Sequence, residues 1–188
     1  MHRRRFDRRT ILKAAAGGAF LLLSGKAFPR AAAAGTAPPG TPGGLSLYHT
    51  HTGERLSVAY RDGRGEYDPE AVSALNRILR CHYTGEVAEM DLRVIDLLDA
   101  VGRNLGGGNE IHIVSGYRSA QYNAKLLREG RGVARNSLHL QGKAIDFRIP
   151  GIRLDSLRET ALRLREGGVG HYPGSGFVHI DSGRFRVW

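Results

Sequence analysis

The sequence predicts an α+β domain with a small antiparallel sheet, on three observations. After an opening hairpin pattern, the segments of helical periodicity come first, and strand-like segments follow with two helices interleaved among them. The strand-like segments are short, and apolar or alternating, with turn residues between them. No internal repeat is present.

The elements follow in order. Leu45 to Tyr60 alternates roughly, with Thr52-Gly53 as turn residues, and predicts a hairpin. Asp68-Pro69 is a helix start. The Asp carboxylate accepts otherwise unpaired amide hydrogens, and the fixed φ of Pro suits the first helical position. Ala71, Leu75, Ile78 and Leu79 then form one apolar stripe. Asp91 caps a second helix carrying Leu92, Ile95, Leu98 and Val101, which ends at Gly106-Gly107-Gly108. Ile111 to Tyr117 reads as a strand entering a loop, and Ala120 to Glu129 as a helix. Gly130 to Gly142 is a loop rich in Gly, Arg and Asn. Ala144 to Ile149 is a short buried strand, and Leu154 to Glu166 a helix with Asp155 at its cap. Val169 to Tyr172 and Phe177 to Ile180 are strands split by Pro173-Gly174-Ser175-Gly176.

The chain of 188 residues suits one domain and a leader. In residues 1–34, Asp7-Arg-Arg-Thr-Ile-Leu-Lys13 resembles the twin-arginine export consensus. The apolar stretch Ala14 to Leu23 follows, then small residues from Ala31 to Ala34 that suit cleavage. The apolar stretch is shorter than the ~20 residues of a membrane span, and an uncleaved anchor is the alternative. Residues 35–44, rich in Gly, Pro and Thr, read as a flexible linker, and 45–188 as the domain. The expected location is the periplasm or cell envelope.

The leader also explains the charge. Eight basic residues against Asp7 give it a net +7 of the total +10, which leaves +3 for residues 35–188. No basic stripe interleaved with aromatics is present, so nucleic acid is not the expected partner. Cys81 is the only cysteine, which excludes an internal disulfide and reads as a spectator thiol. His49 and His51 flank the hairpin turn and read as solvent-facing. His82 follows the first helix, where the helix dipole favours a cation, and His112 reads as structural.

The chemistry concentrates in Ser137-Leu-His-Leu-Gln-Gly-Lys-Ala-Ile-Asp146 and Phe177-Val-His-Ile-Asp181. Strand alternation sends Ile145 and Phe147 to the core and Asp146 to the opposite face, where a carboxylate needs a partner to offset desolvation. His179 and Asp181 share one face by the same rule. If the two strands are neighbours, His139, Asp146 and His179 converge on one cation. Two imidazoles and one carboxylate suit Zn2+, and three protein donors leave a fourth position for water, as in catalytic rather than structural zinc sites. Spacing alone leaves a second reading open: a loop histidine, a salt-bridged aspartate and a core histidine.

Ser115-Gly-Tyr-Arg-Ser119, Ser137-x-His-x-x-Gly-x-Ala-x-Asp146, Gly168-Val-Gly and the closing Phe-Val-His-Ile-Asp together resemble one family. It is that of the zinc peptidases of the D-alanyl-D-alanine carboxypeptidase type, within it the murein endopeptidase branch. Leu45 to Glu54 and Asp181 to Trp188 share the likeness, which covers roughly residues 45–188. The resemblance implies the hedgehog/DD-peptidase-like fold, Zn2+ on His139, Asp146 and His179, and a substrate of peptidoglycan stem peptides and cross-links. It also implies that Arg118 reaches the site, to hold a substrate carboxylate or to stabilise an oxyanion. Gly142 fits either a close backbone approach to the metal or a simple turn.

The general base is the open question. Several relatives use a Glu three residues before the last histidine, and here Gly176 stands there. His171, on the preceding strand, and Asp181, on the strand of His179, are the two candidates, and Asp181 reads equally as a partner orienting a ligand. The alternatives to a murein endopeptidase are a zinc-containing peptidoglycan-binding module without turnover and a D,D-carboxypeptidase or dipeptidase.

Overall fold

The computed structural model describes residues 42–188. The segment expected to be an export leader and nearly all of the expected linker lie outside the described residues. Gly43 and Gly44, which the sequence reading placed in that linker, already belong to the domain. The Gly43 amide donates to Asp99 Oδ2 at 3.1 Å, and Gly44 opens the first strand.

Strands β1 (Gly44–His49) and β2 (Arg55–Ala59) form the expected hairpin. Helices α1 (Pro69–Ile78) and α2 (Leu92–Asn104) follow. Next come β3 (Glu110–Ser115), α3 (Ala120–Arg128), a 3-10 turn at Leu138–Gln141 and β4 (Ala144–Arg148). The chain continues through α4 (Leu154–Leu164), β5 (Gly168–Tyr172), β6 (Phe177–Asp181) and β7 (Arg186–Val187).

The predicted helix starts form for the predicted reason. Asp68 accepts from the amides of Glu70 and Ala71 with Pro69 in the first turn, and Asp91 accepts from that of Arg93. At α4 the residue at the cap is Arg153, without a capping bond. Asp155, expected there, sits in the first turn, where its charge favours the helix dipole. This helix stops at Leu164, short of Glu166, because Arg165 turns left-handed at φ 56°.

The class is α+β, as expected. The sheet is larger than expected and mixed, with seven strands in the order β2-β1-β3-β4-β6-β5-β7. Its centre is antiparallel, but β1 and β3 pair parallel, as do β5 and β7. The first parallel pair arises because β2 runs back along β1, and α1 and α2 follow it before β3 begins. At two residues, β7 is too short for any periodic signal.

Alternation divides the sheet into two faces. Ile111, Ile113, Ile145, Phe147, Val169, Val178 and Ile180 join one core with Leu75, Ile95, Leu98 and Leu157 from the helices. Phe147 is fully buried there, and truncating it to alanine costs about 3–5 kcal/mol. The helices thus cover one face and leave Asp146, His179 and Asp181 on the other. His49 departs from expectation, being fully buried at the end of β1. Its Nδ1 accepts the amides of His51 and Thr52 at 3.2 and 3.4 Å and so shapes the hairpin turn.

Candidate active site

Register brings the first two candidate residues together. β4 and β6 are antiparallel neighbours, and Asp146 lies directly opposite His179. Asp146 Oδ1 is 2.8 Å from His179 Nδ1. His139 arrives from the 3-10 turn, which Ser137 caps through its hydroxyl. Its Nε2 stands 3.3 Å from His179 Nδ1 and 3.3 Å from Asp146 Oδ1. All three residues are buried.

The outer nitrogen of each imidazole is already engaged. His139 Nδ1 lies 2.7 Å from the carbonyl oxygen of Gly116, so it carries the hydrogen and donates. His179 Nε2 donates to Asp181 Oδ2 at 3.1 Å. In the neutral imidazoles His139 Nε2 and His179 Nδ1 are then left with lone pairs that face each other and a carboxylate oxygen. One donor atom from each of the three residues lies within 4.8 Å of the others. Three electron-rich atoms this close fit a divalent cation, which takes the place of any hydrogen shared between them.

The electrostatics favour a positive charge at this point, whether a proton or a cation. Burial works against ionising Asp146, yet His139 and His179 outweigh it and hold the carboxyl well below its usual range. Burial likewise opposes a charge on His179, but hydrogen bonds to Asp146 and Asp181 raise its pKa. Asp181 is fully enclosed. Its oxygens accept from the Arg186 guanidinium at 3.0 and 2.7 Å and from the amides of Gly168 and Gly183 at 3.2 and 2.8 Å. Burial alone would raise its pKa, but His179 and Arg186 bring it down to about 2.

Arg118 joins the group. A bulge in β3 between Ile113 and Ser115 redirects the chain toward the site, a place where such irregularities re-aim side chains. The guanidinium is buried, 3.7 Å from Asp146 Oδ2 and 3.3 Å from Asn123 Oδ1. Its Nε hydrogen has no partner among the described residues. The Arg118 amide also donates to the His139 carbonyl at 3.0 Å, locking the two loops together.

These residues line a cavity of about 530 Å³, with Tyr172 and Trp188 among its other walls. Arg131 and Arg186 line it too, and Asp146 is the one side-chain carboxylate among its lining residues.

His171 is not brought to this group. Opposite His179 on β5 stands Gly170, so His171 faces the helix side. Its Nε2 is 3.6 Å from Asp155 Oδ1 of α4, and it does not line the cavity. Counting back from the tight turn after Tyr172 gives this register, whereas distance along the chain does not. Asp181 is brought to His179, but with its oxygens engaged by five N–H groups it has no free basic atom for the cavity. Gly142 is left-handed, φ 65°, and a Cβ there would sit 2.2 Å from the Glu89 carbonyl oxygen. The close approach is therefore to backbone. Tyr172 and Trp188 had no signal beyond being aromatic residues near the closing motif.

Two imidazoles and one carboxylate beside a buried guanidinium, in a cleft on an α+β sheet, are a donor set that would suit a metal-dependent hydrolase. Comparison with known proteins narrows this class. A sequence profile described as peptidoglycan L,D-endopeptidase MepK, of the M15 peptidases, matches residues 38–188, and the chain belongs to that family. It is 43% identical over 145 residues to the probable peptidoglycan L,D-endopeptidase MepK of Haemophilus influenzae, covering 77% of each chain. It is 42% identical over 144 residues to the peptidoglycan L,D-endopeptidase MepK of Escherichia coli, covering 77% of this chain and 79% of that one. The protein is a peptidase.

Proposed function

We propose that this protein is a zinc-dependent endopeptidase of the cell envelope that hydrolyses peptide cross-links of peptidoglycan. The observation that carries the reading is the convergence of His139 Nε2, Asp146 Oδ1 and His179 Nδ1 in one cavity beside Arg118. The family and the named activity of its relatives supply the substrate class.

In this reading His139, Asp146 and His179 hold the metal. Zinc in such a site polarises a carbonyl and acidifies water. The chain's own residues do the rest. Gly116 and Asp181 hold the two imidazoles with their lone pairs turned inward, so Asp181 is a positioning residue. Arg118, held between Asp146 and Asn123, presents a fixed guanidinium to a carboxylate of the stem peptide. The leader in residues 1–34 directs export by the twin-arginine route. Among the described residues, no helix is long and apolar enough to cross a membrane.

The lack of a second side-chain carboxylate among the lining residues favours one rival, a zinc-holding module that binds peptidoglycan without turnover. One experiment separates the readings. Zinc-loaded protein is incubated with cross-linked muropeptide dimers and, separately, with free pentapeptides. Cleaved dimers support the endopeptidase. Pentapeptide trimming alone indicates a carboxypeptidase, and binding without products indicates the module.

A further inference from the structure

The wall of the cavity formed by β5 and β7 is built around Gly170. This glycine lies opposite His179 across the β5–β6 pair. A Cβ on Gly170 would fall 2.8 Å from Trp188 Cε2, 2.9 Å from its Nε1 and 2.9 Å from Tyr172 Cε2. Both aromatic rings therefore pass over the backbone that faces His179, and a glycine is what lets them. Alternation agrees, since Gly168, Gly170 and Tyr172 share the site face while Val169 and His171 turn to the helices.

Each ring is held. Trp188 follows β7, and its amide and carbonyl bond to Val169 and His171 of β5 at 3.2 and 3.1 Å. The indole lies 5.2 Å from the His179 ring, and the Arg186 guanidinium 4.8 Å from the indole. Tyr172 stacks on Phe177 at 4.8 Å. Indole Nε1 then donates to the Tyr172 hydroxyl at 2.7 Å.

The direction of that last bond decides the role. An indole N–H only donates, so the phenol oxygen accepts, and the phenolic hydrogen must point elsewhere. It finds no acceptor among the described residues, and Tyr172 lines the cavity. A hydroxyl that already accepts one hydrogen bond is a stronger donor for the next.

We propose that Tyr172 is a catalytic residue that donates a hydrogen bond to the oxygen of the attacked carbonyl as negative charge develops on it. Trp188 and Gly170 are its positioning residues. The inference rests on the endopeptidase reading. The hydroxyl keeps its proton throughout, so the step is electrostatic stabilisation by an oriented donor. It complements Arg118, whose guanidinium is left for the substrate carboxylate.

The test compares wild type, Tyr172→Phe and Trp188→Phe, each zinc-loaded and matched for metal content and thermal midpoint. Losing one oriented oxyanion donor lowers kcat about 10²–10³-fold, so Tyr172→Phe should show that loss with KM nearly unchanged. Trp188→Phe keeps an apolar ring and should fall between the two. The same variants are titrated with a phosphinate analogue of the scissile peptide and with the product peptide. Tyr172→Phe should weaken phosphinate binding by a factor similar to its kcat loss and leave product binding alone. Wild-type kcat and phosphinate affinity in Tyr172→Phe would overturn the proposal. A wild type that turns over no cross-link would instead refute the endopeptidase reading, and the phosphinate comparison would still decide the role of Tyr172.

Discussion

Asp146 and His179 face each other across two antiparallel strands, with carboxylate oxygen and imidazole nitrogen 2.8 Å apart. A sheet register, more rigid than any loop, fixes two of the three donors. His139 comes from a turn, tied down through its Nδ1 and its backbone carbonyl.

On the proposed reading, Asp181 should set how well His179 binds metal. Replacing it with Asn removes the charge that orients Nε2 and leaves Arg186 without its carboxylate. Outer partners of this kind contribute about 10–100-fold in metal affinity. Competition against a zinc chelator should show a loss in that range for Asp181→Asn, with circular dichroism close to wild type. Unchanged affinity would remove Asp181 from the site.

Arg118 should act on substrate binding. Lysine keeps the charge but loses the planar fork, so Arg118→Lys is expected to raise KM roughly tenfold with metal content unchanged. Amidating the substrate carboxylate should erase the difference between wild type and variant. An equal penalty on amidated and free substrates would mean that Arg118 does not read that group.

The buried end of β1 predicts acid sensitivity. His49, His51 and His82 lie together, with ring centroids 3.9 Å apart for His51 and His82 and 6.0 Å from His49 to each. Burial, then the neighbouring His51, pulls both His49 and His82 down to about 4 from an ordinary 6.5. A depressed histidine pKa means that the unfolded chain binds the proton more readily. Stability is therefore full above about pH 6.5 and falls as pH drops toward about 4. For His49, with no exposed surface, the effect is on the order of 3 kcal/mol. Urea midpoints measured across that window should fall steeply in wild type. They should fall less in His49→Asn, whose side-chain oxygen can still accept the turn amides. Equal slopes would contradict the assignment.

Much of this was legible in the residues. The helix caps at Asp68 and Asp91, the hairpin and the Ile145-Asp146-Phe147 alternation follow from local chemistry, and that alternation put Asp146 and His179 on one face. What was not legible shares a cause, since it depends on which strands pair and in what register. His171 was judged by distance along the chain, but β5–β6 pairing turns it toward Asp155. The parallel β1–β3 and β5–β7 pairs join distant segments, and no local pattern encodes them. The roles of Tyr172 and Trp188 depend on the second of these pairs. His49 was judged by its place beside a turn, and only the packed sheet reveals its burial.

The central claim is that His139, Asp146 and His179 hold a metal on which peptide cleavage depends. The most direct measurement is zinc content by mass spectrometry, read together with dimer cleavage, for wild type and Asp146→Ala. The account predicts about one zinc per wild-type chain and, in Asp146→Ala, loss of both bound zinc and cleavage. An Asp146→Ala protein that still cleaves cross-links would contradict it.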